Sequence, residues 1–166
     1  WSVPSLASLG YGYALTLTPL HILTFYNAVA NGGKMMRPYF IEDFERDGIA
    51  VEDFGPSVVS GSICSRSTLA DVRKALRGVV ENGTAKVCND PRYQIAGKTG
   101  TAKVAVDGRY DDDEGYRQYQ ASFAGYFPAD DPKYSCIVVL YTGKTKGDFY
   151  GATWAAPVFK RIADKI

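Results

Sequence analysis

One short stretch of the sequence, Ile95 to Ala102, carries side chains that could do chemistry. It holds a lysine and two threonine hydroxyls among small residues, and a glycine stands on each side of the Lys98-Thr99 pair. An ammonium group beside hydroxyls can bind a carboxylate or a phosphate. Glycine has no Cβ, so a ligand can come close to the main chain here. The stretch is therefore predicted to be either a phosphate-binding loop or a substrate-binding strand of the Lys-Thr-Gly type.

The spacing of glycines excludes the phosphate-binding loop. That motif needs a glycine five residues before the glycine that precedes the lysine, and it normally follows a buried strand. Position 92 is an arginine, and the turn residues Asn89-Asp90-Pro91 precede it. The Lys-Thr-Gly triplet fits a different set, because it accompanies Ser-x-x-Lys and Ser-Asp-Asn in penicillin-binding proteins and β-lactamases. The plain alternative is an edge strand with an exposed lysine and glycines for close packing.

Five further blocks of sequence support the Lys-Thr-Gly interpretation. They lie at 10–20, 25–33, 80–85, 122–129 and 150–159 and so span nearly the whole chain. With these blocks, the chain resembles the C-terminal half of a class B penicillin-binding protein transpeptidase domain, most like the division-specific (septal) type. The blocks occur in the same order as in that family. The resemblance implies that residues 1–166 are the C-terminal portion of one such domain, with a partial penicillin-binding protein/serine β-lactamase-like fold.

The resemblance also implies a role for each residue of the motif. In that family a serine attacks the D-alanyl-D-alanine end of a peptidoglycan stem peptide, and β-lactams imitate this dipeptide. Lys98 would support proton transfer and attract the substrate carboxylate, which the Thr99 and Thr101 hydroxyls would bind. Gly100 would let the substrate backbone pair with the strand edge, and the Thr101 N–H would be one donor of the oxyanion hole. No cofactor and no metal are expected.

The sequence departs from the family pattern at the nucleophile. No serine is followed by lysine three positions later, and none by asparagine two positions later. Truncation is the simplest explanation, so the parent protein is predicted to be an active transpeptidase and the isolated chain to be inactive. Two alternatives stay open: a non-catalytic, penicillin-recognising sensor or interaction module, and a serine β-lactamase.

Length and composition argue against nucleic-acid binding, a membrane-spanning segment and a metal site in this sequence. The 166 residues are enough for one domain, and a net charge of +1 with scattered basic residues argues against nucleic-acid binding. No apolar run is long enough to span a membrane, so an anchor would have to precede Trp1. The resemblance implies the periplasmic face of the bacterial inner membrane, and division proteins as partners of a membrane-anchored parent. The three cysteines form no Cys-x-x-Cys pair and only one histidine is present, so buried or semi-buried thiols are expected instead of a metal site.

Two helices are predicted before the motif. Thr18-Pro19 begins the first helix, which Asn31-Gly32-Gly33 ends, and the only histidine, His21, is expected to be an ordinary surface or packing residue on it. Ser67-Thr68 is predicted to cap the second, which Asn82-Gly83 ends. The apolar residues of this second helix recur on one face: Leu69, Val72, Leu76 and Val79. Residues 1–17 are predicted to be a loop.

Strands dominate the rest of the prediction. Arg37–Glu45 is predicted to be a strand before a turn at Arg46–Gly48, and 49–65 a connector. Three main strands are predicted at Gln94–Val106, Tyr119–Phe127 and Tyr134–Tyr141. The acidic run Asp111–Glu114 lacks the spacing of a calcium loop and is predicted to be a solvated hairpin tip. An amphipathic helix from Thr153 to Ile166 should cover the sheet through its apolar side: Trp154, Val158, Ile162 and Ala163.

These elements predict an α+β fold with an antiparallel sheet covered by helices. In the family that the chain resembles, upstream strands pair with the last strand of this sheet. The strand around Cys136–Leu140 is therefore expected to have an unpaired edge. We expect a second copy of the chain or a rearranged segment to cover that edge, which makes a homo-oligomer one expected state.

Overall fold

The Lys-Thr-Gly stretch lies on the first strand of a three-stranded antiparallel sheet in the computed structural model, which describes residues 5–10, 12 and 15–166. The strands are β5 (Ala96–Val104), β6 (Gln118–Phe127) and β7 (Tyr134–Tyr141), with β6 in the centre. Lys98 is opposite Ala124, which in turn is opposite Ile137. The three predicted strands are confirmed, although β5 is two residues shorter than predicted at each end.

Helices cover both faces of this sheet. On one face, α4 (Gly151–Ala163) packs Phe159 against Phe123, with ring centroids 4.7 Å apart in an edge-to-face arrangement. On the other face, α2 (Pro19–Ala30) and α3 (Arg66–Glu81) contribute to a second buried cluster that includes Ala96 and Tyr126 of the sheet. The predicted α+β class, an antiparallel sheet covered by helices, is confirmed.

The predicted start and end of α2 are both confirmed. Thr18 is the N-cap residue, and its hydroxyl accepts a hydrogen bond from the His21 N–H at 3.3 Å. Asn31 ends the helix, and Gly32 and Gly33 then adopt φ of +66° and +90°, which glycine adopts without strain. The His21 ring is exposed and lies 2.9 Å from the Thr18 hydroxyl, so it is a surface residue as predicted.

The second helix, α3, begins two residues earlier than predicted. Ser65 is its N-cap and accepts a hydrogen bond from the Thr68 N–H at 3.1 Å. Ser67 and Thr68, the predicted caps, are helical residues whose hydroxyls lie within 3.0 Å of the Ser65 hydroxyl. Several neighbouring hydroxyls could have capped this helix, so the sequence did not identify which one does. The predicted apolar face is confirmed, because Leu69 is buried and Val72, Leu76 and Val79 pack against the core.

The C-terminal helix, α4, buries only Ala163 of the four residues predicted to cover the sheet. Its buried residues are Gly151, Ala155, Ala156, Phe159 and Ala163. Trp154, Val158 and Ile162 are instead 50%, 37% and 36% exposed. Small side chains allow the helix to approach the sheet closely, and Gly151 lies so near that an added Cβ would be 2.5 Å from two carbonyl oxygens of β5 and β6. Close approach through small residues, together with burial of the Phe159 ring, therefore decided the orientation.

The chain before α3 also differs from the prediction. Ser5–Gly10 forms the short helix α1, so the predicted loop is wrong there; residues 1–4, 11, 13 and 14 of that loop lie outside the described residues. Residues 37–42 are not a strand. Two small ladders pair β1 (Met35–Met36) with β4 (Val58–Ser60), and β2 (Asp43–Arg46) with β3 (Ile49–Asp53). The predicted turn joins β2 to β3, with Asp47 and Gly48 at positive φ.

The acidic run lies in the hairpin loop between β5 and β6, as predicted. Its three aspartates pair with basic side chains: Asp111 with Arg117, Asp112 with Lys144, and Asp113 with Arg109. Within the described ranges, no group of His, Cys, Asp and Glu side chains is arranged to hold a metal ion. No described helix is long and apolar enough to cross a membrane.

Both outer strands of the sheet have an unpaired edge. Among the described residues, β5 and β7 each pair only with β6. The unpaired edge of β7 agrees with the prediction. The predicted rearranged segment is not seen there, since no other described strand pairs with β7.

Candidate active site

The predicted site residues lie along the edge strand β5. Side chains of a strand alternate between the two faces, so Lys98 shares a face with Ala96, which is buried with α2 and α3. Gly97 faces the α4 side, where a Cβ would be 2.7 Å from the Phe123 ring and 2.6 Å from the Ala124 carbonyl oxygen. Gly97 therefore lets β5 lie closely on β6, and it fixes the strand that presents the lysine.

Lys98 and Thr99 come together at the unpaired edge. The Lys98 ammonium donates to the Thr99 carbonyl oxygen at 2.8 Å and to the Thr99 hydroxyl at 3.2 Å. Lys98 is exposed, and no carboxylate in the described part of the chain pairs with it. An exposed ammonium without an internal counter-charge is available to attract an anionic ligand.

Thr101 contacts the start of α4. The Gly151 N–H donates to the Thr101 hydroxyl oxygen at 3.0 Å. This N–H belongs to the first turn of a helix, which leaves its backbone donors without partners inside the helix. Gly100 lies between the two threonines, and an added Cβ there would collide with the Ser122 hydroxyl of the neighbouring strand. That hydroxyl is the end of a side chain and can rotate away, and the Ser122 Cβ at 3.8 Å would be in ordinary contact, so packing within the sheet does not by itself require a glycine at this position.

The Thr99 hydroxyl has a second hydrogen-bond partner besides Lys98. The Thr84 and Thr99 hydroxyl oxygens are 3.0 Å apart. Thr84 follows α3 and precedes a 3-10 helix at Lys86–Cys88. The three groups therefore form a chain of hydrogen bonds from the Lys98 ammonium through the Thr99 hydroxyl to the Thr84 hydroxyl.

An ion-pair network holds the segment that leads into β5. The Lys160 ammonium of α4 lies 2.8 Å from an Asp90 carboxylate oxygen and 3.0 Å from the Tyr93 hydroxyl, and it also pairs with Asp164. Hydrogen bonds from Arg92 and Lys160 hold the pKa of Asp90 well below its usual value. Partial burial lowers the pKa of Lys160, but hydrogen bonds to Asp164, Asp90 and Tyr93 outweigh it and raise that pKa overall. The network joins the end of α4 to the approach to β5.

A cavity of about 470 Å³ lies away from this strand. It is between α2 and the start of β7, and its lining includes Asn27, Tyr39 and Ser135 but none of the four predicted site residues. This cavity therefore does not include the edge of β5.

A family model for the penicillin binding protein transpeptidase domain matches residues 1–164. The chain belongs to this family. It is 31% identical to stage V sporulation protein D of Bacillus subtilis over 94% of its length. It is also 29% identical, over 98% of its length, to a protein of Neisseria gonorrhoeae named probable peptidoglycan D,D-transpeptidase PenA. The chain spans about a quarter of the length of these relatives, 24% and 25% respectively.

A solved structure of the same family has the same fold. It is penicillin-binding protein 3 of Mycobacterium tuberculosis complexed with aztreonam, which matches with a TM-score of 0.81 and 32% identity. The match covers 99% of this chain and 38% of that one. The resemblance to class B penicillin-binding proteins is thereby confirmed for this chain.

Two groups that contact the motif were not among the predicted site residues. Thr84 and Gly151 both lie in sequence blocks that carry the family resemblance, 80–85 and 150–159. Spacing alone does not connect them to the motif, because Thr84 is 15 residues from Thr99 and Gly151 is 50 residues from Thr101. Only the packing of α3 and α4 against β5 brings these groups together.

Proposed function

We propose that the protein containing this chain is a serine-type D,D-transpeptidase that cross-links peptidoglycan stem peptides. Residues 1–166 would form the C-terminal part of its transpeptidase domain. The observation that carries this proposal is the unpaired edge of β5, where the Lys98 ammonium lies beside the Thr99 hydroxyl and Thr101 follows on the same strand. The name of the Neisseria relative and the aztreonam complex of the Mycobacterium protein support the same activity.

In the binding step, the D-alanyl-D-alanine end of a stem peptide lies along β5. Every second residue of an edge strand directs its N–H and C=O groups outward, so an extended peptide can add to the sheet there. The terminal carboxylate accepts hydrogen bonds from the Thr99 and Thr101 hydroxyls and is attracted by Lys98. Hydrogen bonds to a charged group contribute about 1.5–3 kcal/mol each, which makes this carboxylate the main element of recognition.

In the chemical step, a serine oxygen attacks the carbonyl carbon of the penultimate D-alanine. The C–N bond breaks, the terminal D-alanine leaves with a proton, and an ester to the serine forms. An amine of a neighbouring stem then attacks the ester and releases the serine. This chain would supply Lys98 to support proton transfer and the Thr101 N–H as an oxyanion donor, whose loss typically lowers the rate by about 10²–10³. A Ser-x-x-Lys segment, which this sequence lacks, would supply the serine.

A fluorescent penicillin tests this function. The complete protein should form a covalent adduct, and the separate 166-residue chain should not. Transfer of the acyl group from a stem-peptide analogue to an added amine would identify a transpeptidase. Rapid hydrolysis of the β-lactam adduct would identify a β-lactamase instead. Penicillin binding without acyl transfer would identify a sensor module, and a covalent adduct on the separate chain would contradict its proposed inactivity.

We further propose that the outer edge of β7 is covered by another strand in the working protein. An uncovered edge of eight residues would present unpaired backbone groups to other chains. In the separate chain, a second copy would pair there and give a homo-oligomer. Sedimentation tests this: a monomer at all concentrations, with fast amide exchange along β7, would exclude it.

We propose the periplasmic face of the inner membrane as the location and division proteins as the partners of the parent.

A further inference from the structure

The hydroxyl of Thr84 touches the motif without belonging to it. We propose that Thr84 is a positioning residue for the carboxylate receptor: it donates to the Thr99 hydroxyl oxygen, so that Thr99 donates its own proton to the ligand. This inference rests on the proposed function. Thr84 itself contacts no ligand in this arrangement and acts only through Thr99.

The hydrogen-bonding capacity of Lys98, Thr99 and Thr84 determines the direction of the hydrogen bonds that join them. An ammonium group can only donate, so Lys98 occupies one acceptor site of the Thr99 oxygen at 3.2 Å. The Thr84–Thr99 contact at 3.0 Å can run either way in the free protein. A carboxylate can only accept, so its arrival favours the direction in which Thr84 donates to Thr99 and Thr99 donates to the carboxylate. Both acceptor sites of Thr99 are then filled, and its proton points to the ligand.

The backbone around Thr84 holds this hydroxyl in place. After α3 the chain folds back so tightly that a Cβ on Gly83 would be 2.8 Å from the Val79 Cα. The Ala85 N–H donates to the Val79 carbonyl at 3.0 Å, and Ala85 is completely buried. Thr84 is therefore fixed on both sides, although its own side chain is exposed.

The helix that precedes Thr84, α3, is also tied to β5. The Arg77 guanidinium donates to the Ile95 carbonyl at 3.0 Å, immediately before the strand begins. Arg77 also pairs with Glu81 in the last turn of α3 at 3.1 Å. These contacts keep the end of α3 beside the start of β5. The backbones that carry Thr84 and Thr99 are therefore held close together, which favours the hydrogen bond between their hydroxyls.

Thr101 has an equivalent arrangement with a different donor. The Gly151 N–H occupies an acceptor site of the Thr101 hydroxyl at 3.0 Å, which leaves the Thr101 proton free for a ligand. Each threonine of the motif thus has an internal donor on its oxygen: Thr84 for Thr99, and Gly151 for Thr101. Two hydroxyls oriented in this way form a preorganised receptor for one carboxylate.

The test is the acylation rate of the complete protein with benzylpenicillin and with its methyl ester, which lacks the carboxylate charge. Thr84→Val removes the hydroxyl at nearly constant volume, and Thr84→Ser keeps it. Thr24→Val is the matched control, because the Thr24 hydroxyl donates to the Leu20 carbonyl of its own helix at 2.8 Å. We expect Thr84→Val to lower the rate constant for the free acid by about 3- to 10-fold and to leave that for the ester unchanged. Thr84→Ser and Thr24→Val should both stay within about twofold of the wild type.

Three results would overturn the inference. One is a wild-type rate for Thr84→Val with the free acid. Another is an equal loss with acid and ester, which would indicate a general structural role. The third is a loss in Thr84→Ser as large as that in Thr84→Val, which would show that the hydroxyl is not the active group. A wild-type protein that no penicillin acylates would instead contradict the proposed function itself.

Discussion

Replacing Gly151 by alanine should impair both the fold and the site. An added Cβ would be 2.5 Å from the Gly100 and Ser122 carbonyl oxygens and 3.2 Å from the Gly100 nitrogen. Real Cβ contacts essentially never fall below 3.0 Å, so the start of α4 must retreat by at least about 0.5 Å. The atoms in the way belong to the backbone of paired strands, and they cannot turn aside as the end of a flexible side chain could.

This retreat has a cost in stability and a cost in activity. Inserting a methyl group into a well-packed contact typically costs about 1–3 kcal/mol, which corresponds to a fall in melting temperature of roughly 3–10 °C. Moving α4 also stretches the hydrogen bond from the Gly151 N–H to the Thr101 hydroxyl, now 3.0 Å. Losing one hydrogen bond of about 1.4 kcal/mol lowers a rate about tenfold. We therefore expect Gly151→Ala to slow acylation by about that factor.

The assay is thermal unfolding and penicillin acylation of the complete protein, with Gly78→Ala as the matched control. Gly78 lies inside α3, and no atom is within 4 Å of the position of its Cβ. Alanine in a helix interior is favoured over glycine by about 0.5–1 kcal/mol, so this variant should be slightly more stable and acylate normally. If Gly151→Ala behaved like Gly78→Ala in both measurements, the proposed contact between α4 and β5 would be refuted.

Two further predictions concern the fold. Hydrogen bonds lower the pKa of Asp90 and Asp164, so these carboxylates stabilise the protein above their unfolded pKa of about 3.9, and this stability is lost as the pH falls through their lower folded values. Lys160→Met should therefore lower the melting temperature at pH 7 and reduce the further fall in melting temperature on acidification. If the melting temperature of this variant depended on pH as that of the wild type does, the network would not contribute to stability. Thr18→Ala removes the cap of α2, and we expect denaturant unfolding to show a loss of about 0.5–2 kcal/mol. Thr18→Ser should retain that stability, and equal losses in both variants would argue against capping by the hydroxyl.

Local patterns predicted most of the helices and strands around the site. The apolar, aromatic and β-branched runs identified β6 and β7, because each run has the composition of a half-buried strand. The strand β5 was predicted as well, with a glycine-rich middle. The cap of α2 was also predicted, because threonine is favoured at the N-cap and proline at the first helical position. Where the sequence offered several equivalent signals, as with the hydroxyls of Ser65, Ser67 and Thr68, it did not identify the residue that caps the helix.

The orientation of α4 shows what local patterns lack. Its large apolar residues recur at helical spacing, which predicted that Trp154, Val158 and Ile162 would face the sheet. The helix instead packs through Ala155, Ala156 and Phe159. Helix amphipathicity reports which side chains are apolar, but the distance of closest approach depends on the shape of the surface opposite.

The sequence by itself determined that Lys98, Thr99, Gly100 and Thr101 form one strand with an ammonium and two hydroxyls, because these residues are adjacent and the strand period is local. The tertiary structure decided how those hydroxyls are oriented. Thr84 and Gly151 supply their hydrogen bonds from 15 and 50 residues away. Such contacts depend on how α3 and α4 pack against β5, and no spacing within the chain encodes that packing.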